Sequence, residues 1–159
     1  MKITIYCVGS LKESYWRDAV NEYKKRLGAY CHLDIVEVSD APTKDGASDK
    51  EIEETKNKEG EKILSRLKDN EYLIALDLKG KQYDSVSLAK HLDAKLVENG
   101  ASISFLIGGS LGISKALLLR ANESICLGLN TYPHQLARVM LLEQLYRCFR
   151  INRGEPYHK

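Results

Sequence analysis

Phe105-Leu-Ile-Gly-Gly-Ser-Leu-Gly112 and Ser124-Ile-Cys-Leu-Gly-Leu-Asn-Thr-Tyr-Pro-His134 decide the reading of this chain. Each is a short apolar run that ends in glycine and small polar residues, and helical spacing follows each one. Strand, turn, helix is the repeating unit of an open α/β sheet. In such sheets ligands bind in the crevice outside the carboxyl ends of the strands. Two of these strand ends side by side would make one crevice lined by free backbone groups.

The rest of the chain carries the same alternation. Strands are expected at Lys2 to Val8, His32 to Val38, Tyr72 to Leu78, Ser102 to Ile107 and Ser124 to Leu127. Apolar residues at helical spacing place helices at Lys12 to Leu27, from Ser48 to about Leu67, from a Ser85 cap to Val97, from about Ser114 to Ala121, and from Pro133 to about Ile151. Ser48-Asp-Lys-Glu51 is a capping box for the second helix. Lys79-Gly80-Lys81 reads as the turn that ends strand three. Residues 39–47 form a polar loop. No linker or repeat interrupts the pattern. The expectation is one α/β domain over residues 1–159, with a mainly parallel sheet and helices on both faces.

At 159 residues, with 43% hydrophobic and 29% charged residues, the chain has the composition of a soluble globular protein. Its formal net charge of +2 is too small to announce nucleic-acid binding by itself. The charge is distributed unevenly: Arg147, Arg150, Arg153 and Lys159 stand against Glu155 at the C-terminal end, a candidate anion-binding surface. Cations at a helix C-terminus are equally explained by the helix dipole. Cys7, Cys31, Cys126 and Cys148 show no metal-ligand spacing, so no metal is expected. No signal-peptide pattern opens the sequence, and no run approaches the length needed to span a membrane. A cytoplasmic protein is expected.

Gly108-Gly-Ser-Leu-Gly112 could cradle a phosphate, yet it is neither GxGxxG nor a Walker motif. Its glycines could equally serve the turn alone. The loop Leu127 to Tyr132 is more telling. No charged residue lies between Glu123 and His134, so a phosphate-rich ligand is poorly served and a neutral or cationic one fits better. Leu76 and Leu78 could add an apolar wall, or simply pack in the core. On the last helix Arg138 interrupts an apolar run, and Glu143 and Arg147 stand four residues apart as an ordinary helical pair. Apolar residues occur nearly all round that helix, which would suit a homodimer interface. Beyond it, Tyr157 and His158 are an aromatic and a proton-transfer group beside arginines, the types an RNA site uses.

Several of these segments together carry a resemblance. The Gly108-Gly-Ser turn, Thr131-Tyr-Pro-His-Gln-Leu-Ala-Arg138, Leu142-Glu-Gln-Leu-Tyr-Arg147 and Arg153-Gly-Glu-Pro-Tyr-His-Lys159 resemble the SPOUT methyltransferases, and among them those that modify large-subunit ribosomal RNA. Met1-Lys-Ile-Thr-Ile, Val8-Gly-Ser-Leu-Lys12 and Tyr23-Lys-Lys-Arg-Leu-Gly28 are similar too, so the likeness covers the whole chain. It implies a C-terminal segment threaded into a deep trefoil knot, a homodimer, and S-adenosylmethionine as methyl donor. It further implies methylation of N3 of a pseudouridine in 23S ribosomal RNA within the assembled ribosome. The cofactor contacts it implies are Leu76, Gly108, Leu127, Gly128, Leu129, Asn130, Thr131 and Tyr132.

N3 must lose a proton as it is methylated, which calls for a base or for stabilisation of the developing anion. On this reading Tyr157 and His158 position and help deprotonate the target base, and Arg153 and Arg150 hold a phosphate or ring oxygen. Arg138 and His134 are further candidates beside the cofactor loop. A non-catalytic RNA-binding module and a phosphate-using α/β enzyme are the competing classes.

Overall fold

Five strands and five helices alternate along residues 1–159 of the computed structural model. They are β1 (Lys2–Val8), α1 (Ser14–Leu27), β2 (His32–Val38), α2 (Asp49–Leu64), β3 (Leu73–Gln82), α3 (Ser85–Glu98), β4 (Ser102–Ile107), α4 (Lys115–Arg120), β5 (Glu123–Cys126) and α5 (His134–Asn152). All strand pairings are parallel, in the order β2-β1-β4-β3-β5.

The strand order fixes which face each helix covers. The steps β1 to β2 and β3 to β4 run one way along the sheet, and β2 to β3 and β4 to β5 run the other. A right-handed crossover then puts α1 and α3 on one face and α2 and α4 on the opposite one. The core divides accordingly. Ile3, Ile5, Ile103 and Phe105 pack with Val20, Leu92 and Leu142 from α1, α3 and α5. The alternate positions Tyr6, Val8 and Leu106 pack with Ile63 and Leu117 from α2 and α4. Period-two alternation in the strands sorts the two layers. The mainly parallel α/β sheet with helices on both faces is therefore what the chain forms.

Local signals account for most boundaries. The Ser48 side chain accepts from the Glu51 amide while Glu51 receives the Ser48 N–H, completing the capping box. Two expectations are corrected. Asp84, not Ser85, caps α3, its carboxylate accepting the Ser87 N–H at 2.8 Å; an aspartate one residue upstream offers the charge-assisted acceptor. Lys79-Gly80-Lys81 does not end β3. The strand runs through it to Gln82, with a shift of register against β5 between Leu76 and Lys81.

All four cysteines are free and buried, and burial pushes the thiols of Cys7 and Cys148 up to about 12. All four pack as small hydrophobes, and Cys7 and Cys148 have no thiolate character at neutral pH. No helix is long and apolar enough to cross a membrane.

Candidate active site

The middle of β3 and the carboxyl ends of β4 and β5 open into a cleft of about 690 Å³, within the size range of small-molecule sites. Leu76, Asp77 and Leu78 come from β3, the 107–113 segment from the end of β4, and Ile125 to Gly128 from β5 and its exit. Asn130 to Tyr132, then Pro133 to Gln135 and Ala137 at the start of α5, close it. Of the expected cofactor contacts, Leu76, Gly108, Leu127, Gly128, Asn130, Thr131 and Tyr132 line this cleft, and Leu129 does not. Leu129 points outward and is 77% exposed.

The glycine turn after β4 is built for close approach. A Cβ on Gly108 would lie 2.8 Å from the Ile113 side chain and 2.9 Å from the Gly112 backbone. The Gly112 amide, at φ +94°, donates back to the Gly109 carbonyl at 3.0 Å. That amide is spent inside the turn, which weakens a phosphate-cradle reading. Behind the turn stands Glu59 of α2, 5% exposed, which accepts the Ala41 N–H at 3.0 Å. Its second oxygen lies 3.2 Å from where a Gly109 Cβ would sit. Burial, with the nearby Asp40, raises the Glu59 carboxyl above its ordinary range.

His134 begins α5 on the cleft wall, with its ring against Gly9 and its Nδ1 buried without a partner. Burial and then the Arg138 charge lower its pKa, against the opposing pull of Asp40 and Glu13. One turn on, Arg138 is 1% exposed. Its Nη1 donates to Glu37 at 2.9 Å and its Nη2 to the Gly9 carbonyl at 3.2 Å. Arg138 thus ties the ends of β1 and β2 to α5 and is not among the residues lining the cleft. Two of its guanidinium nitrogens are spent on these contacts, and its Nε is buried without a partner.

The C-terminal tail folds back along α5. Tyr157 donates to Glu143 at 3.1 Å and packs edge-on against Tyr146 with ring centres 4.9 Å apart. Burial, with the Glu143 charge, pushes the Tyr157 phenol up to about 12, so it stays protonated at neutral pH. His158 Nδ1 accepts from Arg147 at 3.3 Å, since a guanidinium has no acceptor. Arg153 stacks over the Tyr30 ring at 4.6 Å, and Arg150 pairs with Glu155 at 2.6 Å. None of Arg153, Tyr157 or His158 lines the cleft. Glu143 lies nine residues beyond His134, about 13 Å along the helix. Glu143 instead lines a smaller cavity of about 400 Å³ that shares Ile125, Cys126 and Leu127 with the main cleft. One chain therefore gathers the expected cofactor contacts but keeps the expected tail residues apart from them.

Asp77 was missed in the sequence, although an acid between Leu76 and Leu78 in an apolar strand was its signal. Glu37 and Glu59 gave no local signal, because their partners come from distant segments.

A family model described as "Predicted SPOUT methyltransferase" matches residues 1–158. The chain belongs to the SPOUT methyltransferase family. Among its SPOUT relatives, "Ribosomal RNA large subunit methyltransferase H" of Clostridium beijerinckii is 58% identical over 159 residues, covering 100% of both chains. The protein of the same name from Clostridium acetobutylicum is 57% identical over the same full length. In structure, a probable methylase family protein from Haemophilus influenzae superposes with a TM-score of 0.51 at 11% identity. That match covers 96% of this chain and 66% of the other, and it speaks for the fold alone.

Proposed function

We propose that this SPOUT methyltransferase transfers a methyl group from S-adenosylmethionine to N3 of a pseudouridine in 23S ribosomal RNA of the large subunit. The observation that carries the reading is full-length identity above one half to relatives named for large-subunit ribosomal RNA methylation. The cleft supports the choice of donor. Its 127–132 wall has backbone amides and carbonyls but no ionised side chain, which suits an adenosine joined to a cationic centre better than a polyphosphate.

Leu76, Gly108 and the residues 127–132 that line the cleft would hold the cofactor, with Leu129 on the outer surface of the same loop. The cofactor supplies a methyl group on a sulfonium for in-line displacement, so placement of the nucleophilic nitrogen is the enzyme's main task. Leu76 and Leu127 exclude water from that approach. Released from Arg147, His158 takes the N3 proton on Nδ1, and Tyr157, protonated as argued above, donates a hydrogen bond to the target base. Arg153 and Arg150 hold phosphate or a ring oxygen. Arg138 supports the site by fixing α5 against β1 and β2.

The tail reaches the cleft by leaving its seat on Glu143 or by coming from a second copy. The half-buried stripe Leu136, Val139 and Met140 on α5 supports a homodimer. Threading of the C-terminal segment as a trefoil knot and a cytoplasmic location belong to the same reading. With a net charge of +2, few phosphates can be neutralised, so affinity for free RNA is low. The ribosome is the substrate.

Purified protein given labelled S-adenosylmethionine with ribosomes lacking the modification tests this, with the product mapped by nuclease digestion and mass spectrometry. N3-methylpseudouridine in ribosomes, with little in free ribosomal RNA, is the expected result. Saturable S-adenosylmethionine binding with no RNA methylation would overturn the substrate. A heat of binding for ATP or NAD but none for S-adenosylmethionine would overturn the donor.

A further inference from the structure

β3 pairs with β5 at Ile74 to Leu76 and again at Lys81 and Gln82, and the register slips between the two stretches. Leu76 and Lys81 both pair with Ile125, so residues 77–80 are extra in β3, a bulge whose last residue, Gly80, lies against the β5 backbone. The bulge is fixed by Gly80: a Cβ there would lie 2.6 to 2.7 Å from backbone atoms of Ser124 and Ile125. Bulges next to sites commonly re-aim a side chain. Here the bulge follows directly on Leu76 and brings Asp77 to the cleft wall.

Asp77 is the one carboxylate among the 20 lining residues, and the lining holds no lysine or arginine. Its side chain is half-buried and takes part in no salt bridge of the chain. The other ionisable imidazole or acid on the wall is His134, held toward its neutral form. Of the two lysines flanking Gly80, Lys79 is exposed and makes no salt bridge with Asp77, and Lys81 lies over the Tyr83 ring at 4.7 Å. A lone carboxylate without a cation, at the rim of an otherwise uncharged cleft, leaves its charge to be met by what binds there.

We propose that Asp77 is the counter-charge for the sulfonium of S-adenosylmethionine, so that the cleft favours the cationic donor over the neutral thioether product. The inference rests on the donor assigned above and goes further, naming a residue that separates donor from product. S-adenosylmethionine and S-adenosylhomocysteine share adenine, ribose, ammonium and carboxylate, so contacts to those groups cancel in a comparison. They differ in one methyl group and one positive charge. A carboxylate beside that charge acts on the donor alone, and its loss of partner after transfer speeds product exchange.

Calorimetric titration of the full-length protein and of Asp77→Asn with each ligand decides the matter. The expected result is a roughly tenfold weaker affinity of the variant for S-adenosylmethionine, with S-adenosylhomocysteine changed by less than about twofold. Equal weakening of both ligands would overturn the proposal, because Asp77 would then hold a group they share. No change in either would overturn it as well. Wild-type protein that binds neither ligand would instead sink the donor assignment itself. Thermal melting checks that the variant folds, and Asp77→Ser, read by the same ratio, replaces it if it does not.

Discussion

Arg138, a catalytic candidate in the sequence, braces three segments of the fold. It is the bulkiest of the fully buried side chains, and its partners sit on β2 and just past the end of β1, over a hundred residues earlier. Its place in an apolar run was visible in the sequence, but its partners Glu37 and Gly9 were not, since only the fold brings them together. Arg138→Met leaves the Gly9 carbonyl and the Glu37 carboxylate without their donor. Glu37 is 43% exposed and can rehydrate, so the expected loss is about 2–3 kcal/mol, below that of a fully buried pair. Urea denaturation measures it. Arg138→Lys recovers only part, because an ammonium cannot span both acceptors. Glu59 gives a pH signature. Its folded-state pKa lies above the unfolded value, so the folded protein binds that proton more tightly. Stability from this group is full below about pH 4 and declines as pH rises through the folded pKa. Glu59→Gln, which keeps the acceptor for Ala41, should raise the melting temperature at pH 7 and leave it unchanged near pH 4.

At the scale of elements, local signals read well and non-local ones did not. The capping box of α2 and the proline before α5 act within a turn of helix, so residue order alone reveals them. Lys79-Gly80-Lys81 looked like a turn for the same local reason, since glycine between lysines is turn chemistry. The glycine is needed instead for close approach to β5, a contact that no local pattern encodes. Gly80→Ala tests the distinction. If Gly80 only relaxed a turn, alanine would cost a few tenths of a kcal/mol. Overlap with the Ile125 backbone predicts a loss of about 2–3 kcal/mol and weaker S-adenosylmethionine binding, since Asp77 and Leu76 shift with the bulge. Denaturant titration and calorimetry on one preparation separate the two cases.

For the molecule as a whole, the alternation of strand and helix was legible, but the order β2-β1-β4-β3-β5 was not. That order sets β3 between β4 and β5 and so makes one cleft from three separate segments, 76–78, 107–113 and 125–137. The cofactor loop was legible because its composition lacks charge. The seat of the tail was not, because it depends on Tyr30, Glu143 and Tyr146 meeting it in space, and residue order does not show that Tyr30 lies beside the last helix. Its seat makes a prediction about division of labour. The tail is held by the Tyr157 bond to Glu143, the Arg150–Glu155 pair and stacking on Tyr30 and Tyr146. These are surface interactions, worth about 1 kcal/mol or less apiece. Deleting residues 155–159 should therefore lower the melting temperature by only a few degrees. None of those residues lines the cleft, so calorimetric affinity for S-adenosylmethionine should stay within about twofold of wild type. Ribosome methylation should fall by at least about a hundredfold, since positioned acid–base groups contribute that much. His158→Ala should account for most of the loss and Tyr157→Phe for less, as the phenol acts as a donor and not as a base. A truncated protein that still methylates ribosomes at the wild-type rate would remove the tail from the mechanism and return the search for the base to His134 on the cleft wall.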